Sequence, residues 1–166
     1  MVGVFSKTLA KPGRSFVGLW NNVAITVWLA RPDGETAKAT VSFAEELKKT
    51  YSMFTVLHIA EKGAGLPTPE GRDELVAGAR HNTESVACVG VLLPESSLLA
   101  NMLRVFMRGV RTLLRGDLNT VLEQNVDTLA RLVVELHVRR TGVRIVPREL
   151  AVAIEEARRL AAATSR

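Results

Sequence analysis

The chain is poor in cysteine, histidine and aromatic side chains. Its 166 residues include one cysteine, three histidines, two tryptophans, one tyrosine and five phenylalanines. A single cysteine excludes an internal disulfide, and so few thiols and imidazoles disfavour a structural zinc cluster. We therefore predict a reducing compartment, the cytoplasm. The shortage of aromatic rings also argues against a base-stacking surface for single-stranded nucleic acid.

Long apolar runs are missing as well. The longest uncharged stretch, residues 15–30, is interrupted by Asn21 and Asn22. It falls short of the roughly 20 apolar residues that a membrane-spanning helix needs. The first lysine, Lys7, follows the apolar residues at the start of the chain, which is the reverse of the order in a secretory signal. We predict neither membrane insertion nor export.

Hydrophobic residues make up 47% of the chain and charged residues 23%, which is typical of a globular domain with a substantial core. The net charge of +5 comes from residues 101–166, where twelve arginines face seven acidic residues. Guanidinium groups suit carboxylates and phosphates, so an anionic partner is one interpretation. The other is that these arginines only solvate the outer faces of helices.

Apolar runs alternate with helix-like segments along the chain. Residues 16–20 and 23–30 are predicted to form a β-hairpin, because the intervening Asn21 and Asn22 tolerate the backbone of a tight turn. Further strands are predicted at residues 54–60, 86–93 and 120–124, and helices are predicted to end near residues 51, 82, 115, 140 and 163.

This order predicts an α/β fold with a mainly parallel sheet of four to five strands, an antiparallel N-terminal hairpin and helices on the sheet. Residues 1–14 are predicted to be a flexible N-terminal segment and residues 15–142 the α/β domain. Residues 143–166 are predicted to form an additional amphipathic C-terminal helix, which either docks on the domain or dimerises with its copy.

The hairpin with its Asn-Asn turn, the three strand–helix repeats and the segment TVLEQNVDTLARL at residues 120–132 resemble a STAS domain of the anti-sigma-factor antagonist type. The resemblance implies a non-catalytic module that docks on a partner protein. In the antagonists, a Ser or Thr in an Asp-Ser-Ser-Gly-like turn is the phosphorylation switch. The corresponding segment here, EKGAGLPTPEG at residues 61–71, lacks that motif and supplies only Thr68, so the resemblance is to a divergent member.

Loops at the carboxyl ends of the predicted parallel strands are the place where such a sheet would bind a ligand. The candidate ligand or regulatory residues in these loops are Glu61, Gly63, Gly65, Thr68, Ser96 and Ser97. The alternative is that the Thr and Ser side chains only cap their own helices. The two glycines lack the third glycine or the Gly-Lys-Ser/Thr ending of a phosphate loop, so we predict no cofactor.

No catalytic apparatus is visible in the sequence. His58 lies near the end of a strand without a nucleophile beside it, and Cys88 lies mid-strand, where a thiol packs as a small apolar group. His81 and His137 stand alone on predicted helices and are expected either to face solvent or to fill positions on an amphipathic helix without a specific role. No acidic or histidine cluster has metal-ligand spacing. We predict that the protein is not an enzyme and binds no metal.

The third predicted helix has more apolar surface than one sheet requires. Its apolar arc spans about 220°, whereas a helix lying on a sheet needs far less. We predict that this face receives the C-terminal helix or a second subunit, with packing inside the chain as the alternative. The candidate interface residues are Leu103, Arg104, Met107, Arg108, Arg111, Leu114 and Arg115.

These observations predict a cytoplasmic regulatory or scaffold module that acts through protein–protein interaction, with a protein partner and a homodimer as its expected assemblies. The alternative is a domain that binds a small anionic or lipid-like ligand in the crevice at the carboxyl ends of the strands. Nucleic acid is the least favoured partner, because one arginine stripe without a reading motif is too little.

Overall fold

The computed structural model describes residues 4–114 and 118–165 and shows an α/β fold with a six-stranded mixed sheet. The strands are β1 (Lys7–Lys11), β2 (Ser15–Trp20), β3 (Val23–Trp28), β4 (Phe54–Ala60), β5 (Val86–Leu92) and β6 (Thr120–Glu123). The helices are α1 (Gly34–Ala44), α2 (Pro69–His81), α3 (Ser97–Leu113), α4 (Val126–Thr141) and α5 (Pro147–Ala163), with a short 3-10 helix at Glu45–Lys49 after α1. The α/β class is confirmed, with more strands than the predicted four to five.

The additional strand is β1, and the prediction of a flexible segment at residues 1–14 is wrong for Lys7–Lys11. This strand pairs antiparallel with β2 along its whole length. Gly13 has a φ of 69°, which permits the tight turn between the two strands. Lysines at both ends of β1 mark it as an edge strand, and such a strand shows little of the apolar pattern that identifies central strands.

The predicted hairpin is confirmed as β2 and β3. Asn21 has a φ of 47°, the left-handed conformation that a two-residue hairpin turn demands. Every residue of β3 is buried, because β3 lies between β2 and β4 and helices cover both faces of the sheet.

The strand order places three helices on one face of the sheet. The strands lie side by side in chain order, and β3 through β6 are parallel. Right-handed crossovers that always advance in one direction put their helices, α1, α2 and α3, on the same side. The helix α4 follows β6 and connects to no further strand, so the crossover rule does not fix its side. It covers the opposite face of the sheet together with α5. The core is therefore split into two apolar clusters by the sheet.

The C-terminal helix α5 docks on its own chain. It packs against α4, β2 and β3, and its inward side chains Leu150, Ala153, Ile154 and Ala157 are fully buried. Of the two predicted possibilities for residues 143–166, the structure shows docking. The helix therefore lies on the face of the sheet opposite α3 and leaves α3 uncovered.

Candidate functional site: an apolar cavity under the third helix

A cavity of about 140 Å³ lies between the sheet and the helices α1, α2 and α3. Its floor is formed by alternate residues of two central strands, and its walls are side chains of α2 and α3. The floor includes Phe54, Val56, His58, Val89 and Val91, and the walls include Leu75, Val76, Ala79, Leu103, Phe106, Met107 and Val110.

Close packing of α1 and α2 keeps α2 away from α3. Gly78 of α2 meets Val41 of α1, and a Cβ at this glycine would lie 2.6 Å from Val41 Cγ1. At the start of α2, Gly71 meets the Pro32 backbone in the same way. Among the described elements, none makes extensive backbone contact with α3. The space between α2, α3 and the sheet is therefore left to the cavity.

One polar pair lies in this apolar lining, at the carboxyl ends of β3 and β4. Trp28 donates a hydrogen bond from Nε1 to His58 Nδ1 at 3.1 Å, and the two rings stack with an interplanar angle of 22°. Because an indole nitrogen can only donate, Nδ1 accepts and the neutral imidazole carries its proton on Nε2. Burial lowers the pKa of His58 to about 4. At neutral pH the ring is therefore an uncharged donor.

A second polar group lies at the other end of the strands, where β5 begins. Asn82 donates from Nδ2 to Glu45 Oε1 at 2.8 Å and to the Gly78 carbonyl at 2.7 Å. Its Oδ1 is buried and has no hydrogen-bond partner among the described residues. Asn82 and Glu45 both line the cavity. Asn82 and Glu45 thus place polar groups at one end of a lining that is otherwise mainly apolar, and the buried Asn82 Oδ1 itself has no surface open to the cavity.

Period-two alternation explains why His58 faces the cavity. Residues 54, 56, 58 and 60 of β4 line the cavity, whereas Thr55 points to the opposite face. The apolar run of β4 contains only two polar residues, Thr55 and His58. Because one has an odd and the other an even number, the sequence alone places their side chains on opposite faces of the sheet. His58 stands out in the sequence as a possible functional residue, whereas no local signal connects Trp28 or Asn82 with it as members of one site.

Of the six loop residues predicted as a ligand or regulatory site, only Gly65 lines the cavity. Glu61 is instead tied to α5, since Arg158 donates from Nε to its Oε1 at 2.5 Å. A Cβ at Gly63 would lie 2.6 Å from the Leu29 carbonyl oxygen, so this glycine permits a close backbone approach.

The predicted hydroxyl residues have different surroundings. Thr68 caps α2 by accepting a hydrogen bond from the Gly71 amide at 3.1 Å, as the capping alternative predicted. Ser96 precedes α3 without a side-chain cap, and both Ser96 and Ser97 are exposed. These residues do not converge with Gly65 on the cavity.

The predicted interface on α3 needs correction. Leu103 and Leu114 are buried within the chain and are not available to a partner, and Met107 is half-buried in the cavity wall. Arg115 lies outside the described residues. The apolar residues that α3 exposes instead are Leu98, Met102, Val105 and Leu113.

Of the two alternatives for His137, the solvent-facing one is wrong. Its side chain is fully buried between α4 and the sheet and shares a 2.8 Å hydrogen bond between Nδ1 and Thr55 Oγ1. Its Nε2 has no partner within the described chain. Burial lowers the pKa of His137 to about 4. For His81 the solvent-facing alternative holds, because its side chain is exposed.

Cys88 packs as predicted. Its thiol is buried in β5, 3.5 Å from Thr55 Oγ1, and burial raises its pKa. The thiol is therefore protonated at neutral pH and is a poor nucleophile.

None of the helices within residues 4–114 and 118–165 combines the length and the apolar composition that a membrane span requires. The same residues contain no group of three or more His, Cys, Asp or Glu side chains placed to hold a metal ion. No protein-family model, curated protein or solved structure was found to match the chain.

Proposed function

We propose that this protein is a non-catalytic binding module whose cavity takes a small, mostly apolar ligand that carries a hydrogen-bond acceptor. The observation that carries the proposal is that the neutral His58, whose proton lies on Nε2, is among the residues that line a mainly apolar cavity. Ligand sites commonly combine an apolar lining with a few polar groups that fix orientation. The neutral imidazole favours a carbonyl, ester or carboxyl oxygen as its partner.

The size of the cavity supports an occupant. About 140 Å³ of space lined mainly by apolar side chains is left unfilled, so these side chains lack packing partners on one side. Water gains little there, because a buried water molecule needs two to four polar partners and the lining is mainly apolar. An apolar ligand would fill this space and supply the missing contacts.

The resemblance to a STAS domain supports a role in binding, and we include a divergent STAS-like regulatory role in the proposed function. The ligand site proposed here differs from the site predicted from the sequence, which was the crevice at the carboxyl ends of the strands. The ligand would lie under α3 against the face of the sheet, with only the Trp28 and His58 end near the carboxyl ends of the strands. The protein partner, the homodimer and the cytoplasmic location stay predictions.

Ligand binding is tested with Trp28 as the reporter. In a Trp20→Phe background, Trp28 is the only tryptophan, and it lines the cavity while position 20 lies outside it. We expect titration with 2-nonanone to give a saturable change in Trp28 fluorescence. Adding Ala79→Phe, which places a ring in the cavity wall, should abolish the response.

The matched control is Ala77→Phe, the same substitution at an exposed position of α2. It should leave the response intact. A linear, non-saturating signal, or an equal response from both phenylalanine variants, would refute a ligand in this cavity.

The role of His58 is tested by comparing a ketone with a hydrocarbon. His58→Phe removes the donor and keeps an aromatic ring, so 2-nonanone should bind about tenfold more weakly, the value of one hydrogen bond. Nonane should bind with nearly unchanged affinity, which would separate a lost hydrogen bond from a damaged cavity. Calorimetric titration measures both, and equal losses for the two ligands would assign His58 a purely structural role.

A further inference from the structure

The outward face of α3 carries an uncovered apolar stripe. Leu98 is 71% exposed and Val105 is 66% exposed, and Met102 and Leu113 are also exposed. At about 100° per residue these side chains fall on one side of the helix, along roughly 22 Å of its length. No described part of the chain covers them, because α5 lies on the other face of the sheet.

The charge on α3 is of one sign. Residues 97–113 contain Arg104, Arg108 and Arg111 and no acidic residue. The three arginines form a second stripe next to the apolar one, and none pairs with a carboxylate among the described residues. Arg80 of α2 adds a further positive charge at the end of α3, where its Nη2 donates to the Leu113 carbonyl at 3.5 Å.

The same helix roofs the cavity. Leu103, Phe106, Met107 and Val110 line the cavity from the inner side of α3. A ligand that suits this lining is poorly soluble in water, and a bilayer is a reservoir of such molecules. The apolar stripe on the outer side of α3 would face the bilayer, and α3 would then lie between the bilayer and the cavity.

We propose that α3 docks on the surface of a bilayer that contains anionic lipid, through the apolar stripe of Leu98, Met102, Val105 and Leu113 and the three arginines beside it. Helices with apolar and arginine-rich faces lie at membrane interfaces in this way without spanning them. The assignment of the bilayer as the source of the cavity ligand rests on the proposed function, whereas docking itself does not.

Docking is tested by flotation of the full chain with lipid vesicles. Vesicles of phosphatidylcholine with about 30 mol% phosphatidylglycerol should bind the protein at least tenfold more tightly than pure phosphatidylcholine, and about 500 mM salt should remove most of that preference. The double variant Leu98→Ser with Val105→Ser should lose binding to both kinds of vesicle. Val152→Ser, an exposed valine of α5, is the matched control and should bind normally.

The arginines are tested separately. Arg108→Gln with Arg111→Gln should weaken binding to the anionic vesicles about thirtyfold, about fivefold for each arginine near the charged surface. Equal affinity for both kinds of vesicle, or normal binding by the double serine variant, would overturn the proposal. A third outcome would also overturn it. If the protein binds no vesicles, and light scattering gives the mass of two chains for the wild type but of one chain for the double serine variant, the apolar stripe joins two copies of the protein.

The two proposals fail separately. Ala79→Phe should still bind vesicles while it loses the response to 2-nonanone, and the double serine variant should show the opposite pattern. Vesicle binding by a protein that takes no ketone would refute the ligand-binding cavity and the bilayer as its source, and would leave docking in place. Ketone binding without vesicle binding would refute the docking.

Discussion

Replacing Ile154 with alanine should lower the free energy of unfolding by about 2–5 kcal/mol, the usual cost of truncating a buried aliphatic side chain. Ile154 is fully buried in the cluster that joins α5 to α4, β2 and β3. Its loss would leave a void that these elements cannot close without shifting. Urea denaturation followed by circular dichroism measures the change.

Val152→Ala is the control on the same helix. Val152 is 56% exposed, so its truncation should change the free energy of unfolding by less than about 0.5 kcal/mol. Both substitutions replace a β-branched residue with alanine, so any difference between them reports burial and not helix propensity. Equal effects would mean that α5 does not dock on the sheet.

The position of α5 shows why residues 143–166 belong to the same folding unit as the rest. The helix α4 covers β5 and β6, and without α5 the apolar face of β2 and β3 would meet water. The amphipathic pattern of α5 predicted that it must lie against something. Only the strand order, which leaves this half of the sheet open, determines which surface it meets.

Local signals in the sequence predicted most of the architecture. Asp33, Thr68 and Asn125 each cap a helix through a side-chain oxygen, and Gly142 ends α4 in the left-handed conformation. The two asparagines of the hairpin turn indicated the hairpin, and the apolar runs indicated the central strands. All of these signals act within a few residues of one another.

The features that were missed depend on long-range pairing. Lys7–Lys11 become a strand only because the hairpin offers an edge to which they can pair. His137 is buried because Thr55, far away in sequence, provides its hydrogen-bond partner. The cavity arises from the distance between α2 and α3, which no property of either helix alone fixes.

Acid should destabilise the protein through its buried histidines, in the range from about pH 6.5 down to about pH 4. Burial lowers the pKa of His58 and of His137 from 6.5 to about 4. Below pH 6.5 the unfolded chain therefore binds protons that the folded chain does not, and stability falls with pH until the folded histidines protonate near pH 4. For each of the two histidines the loss is at most about 3 kcal/mol.

Carboxylates affect the stability of the protein mainly below about pH 4.5. The pKa values of Glu46 and Glu156 are lowered from 4.5 by lysine and arginine partners respectively, so their contribution is present above pH 4.5 and is lost as the pH falls further. The slope of stability between pH 6.5 and 4.5 therefore belongs chiefly to the histidines. Urea midpoints across this interval measure it.

Two glutamine variants assign the slope. His137→Gln cannot titrate, so its stability should fall much less between pH 6.5 and 4.5 than that of the wild type, whatever its stability at neutral pH. His81→Gln, the same substitution at an exposed histidine, is the matched control for the substitution itself. An unchanged slope in His137→Gln would contradict the burial of this side chain as a neutral group, because an imidazole that stays uncharged in the folded state lowers stability as the pH falls from 6.5 to 4.5.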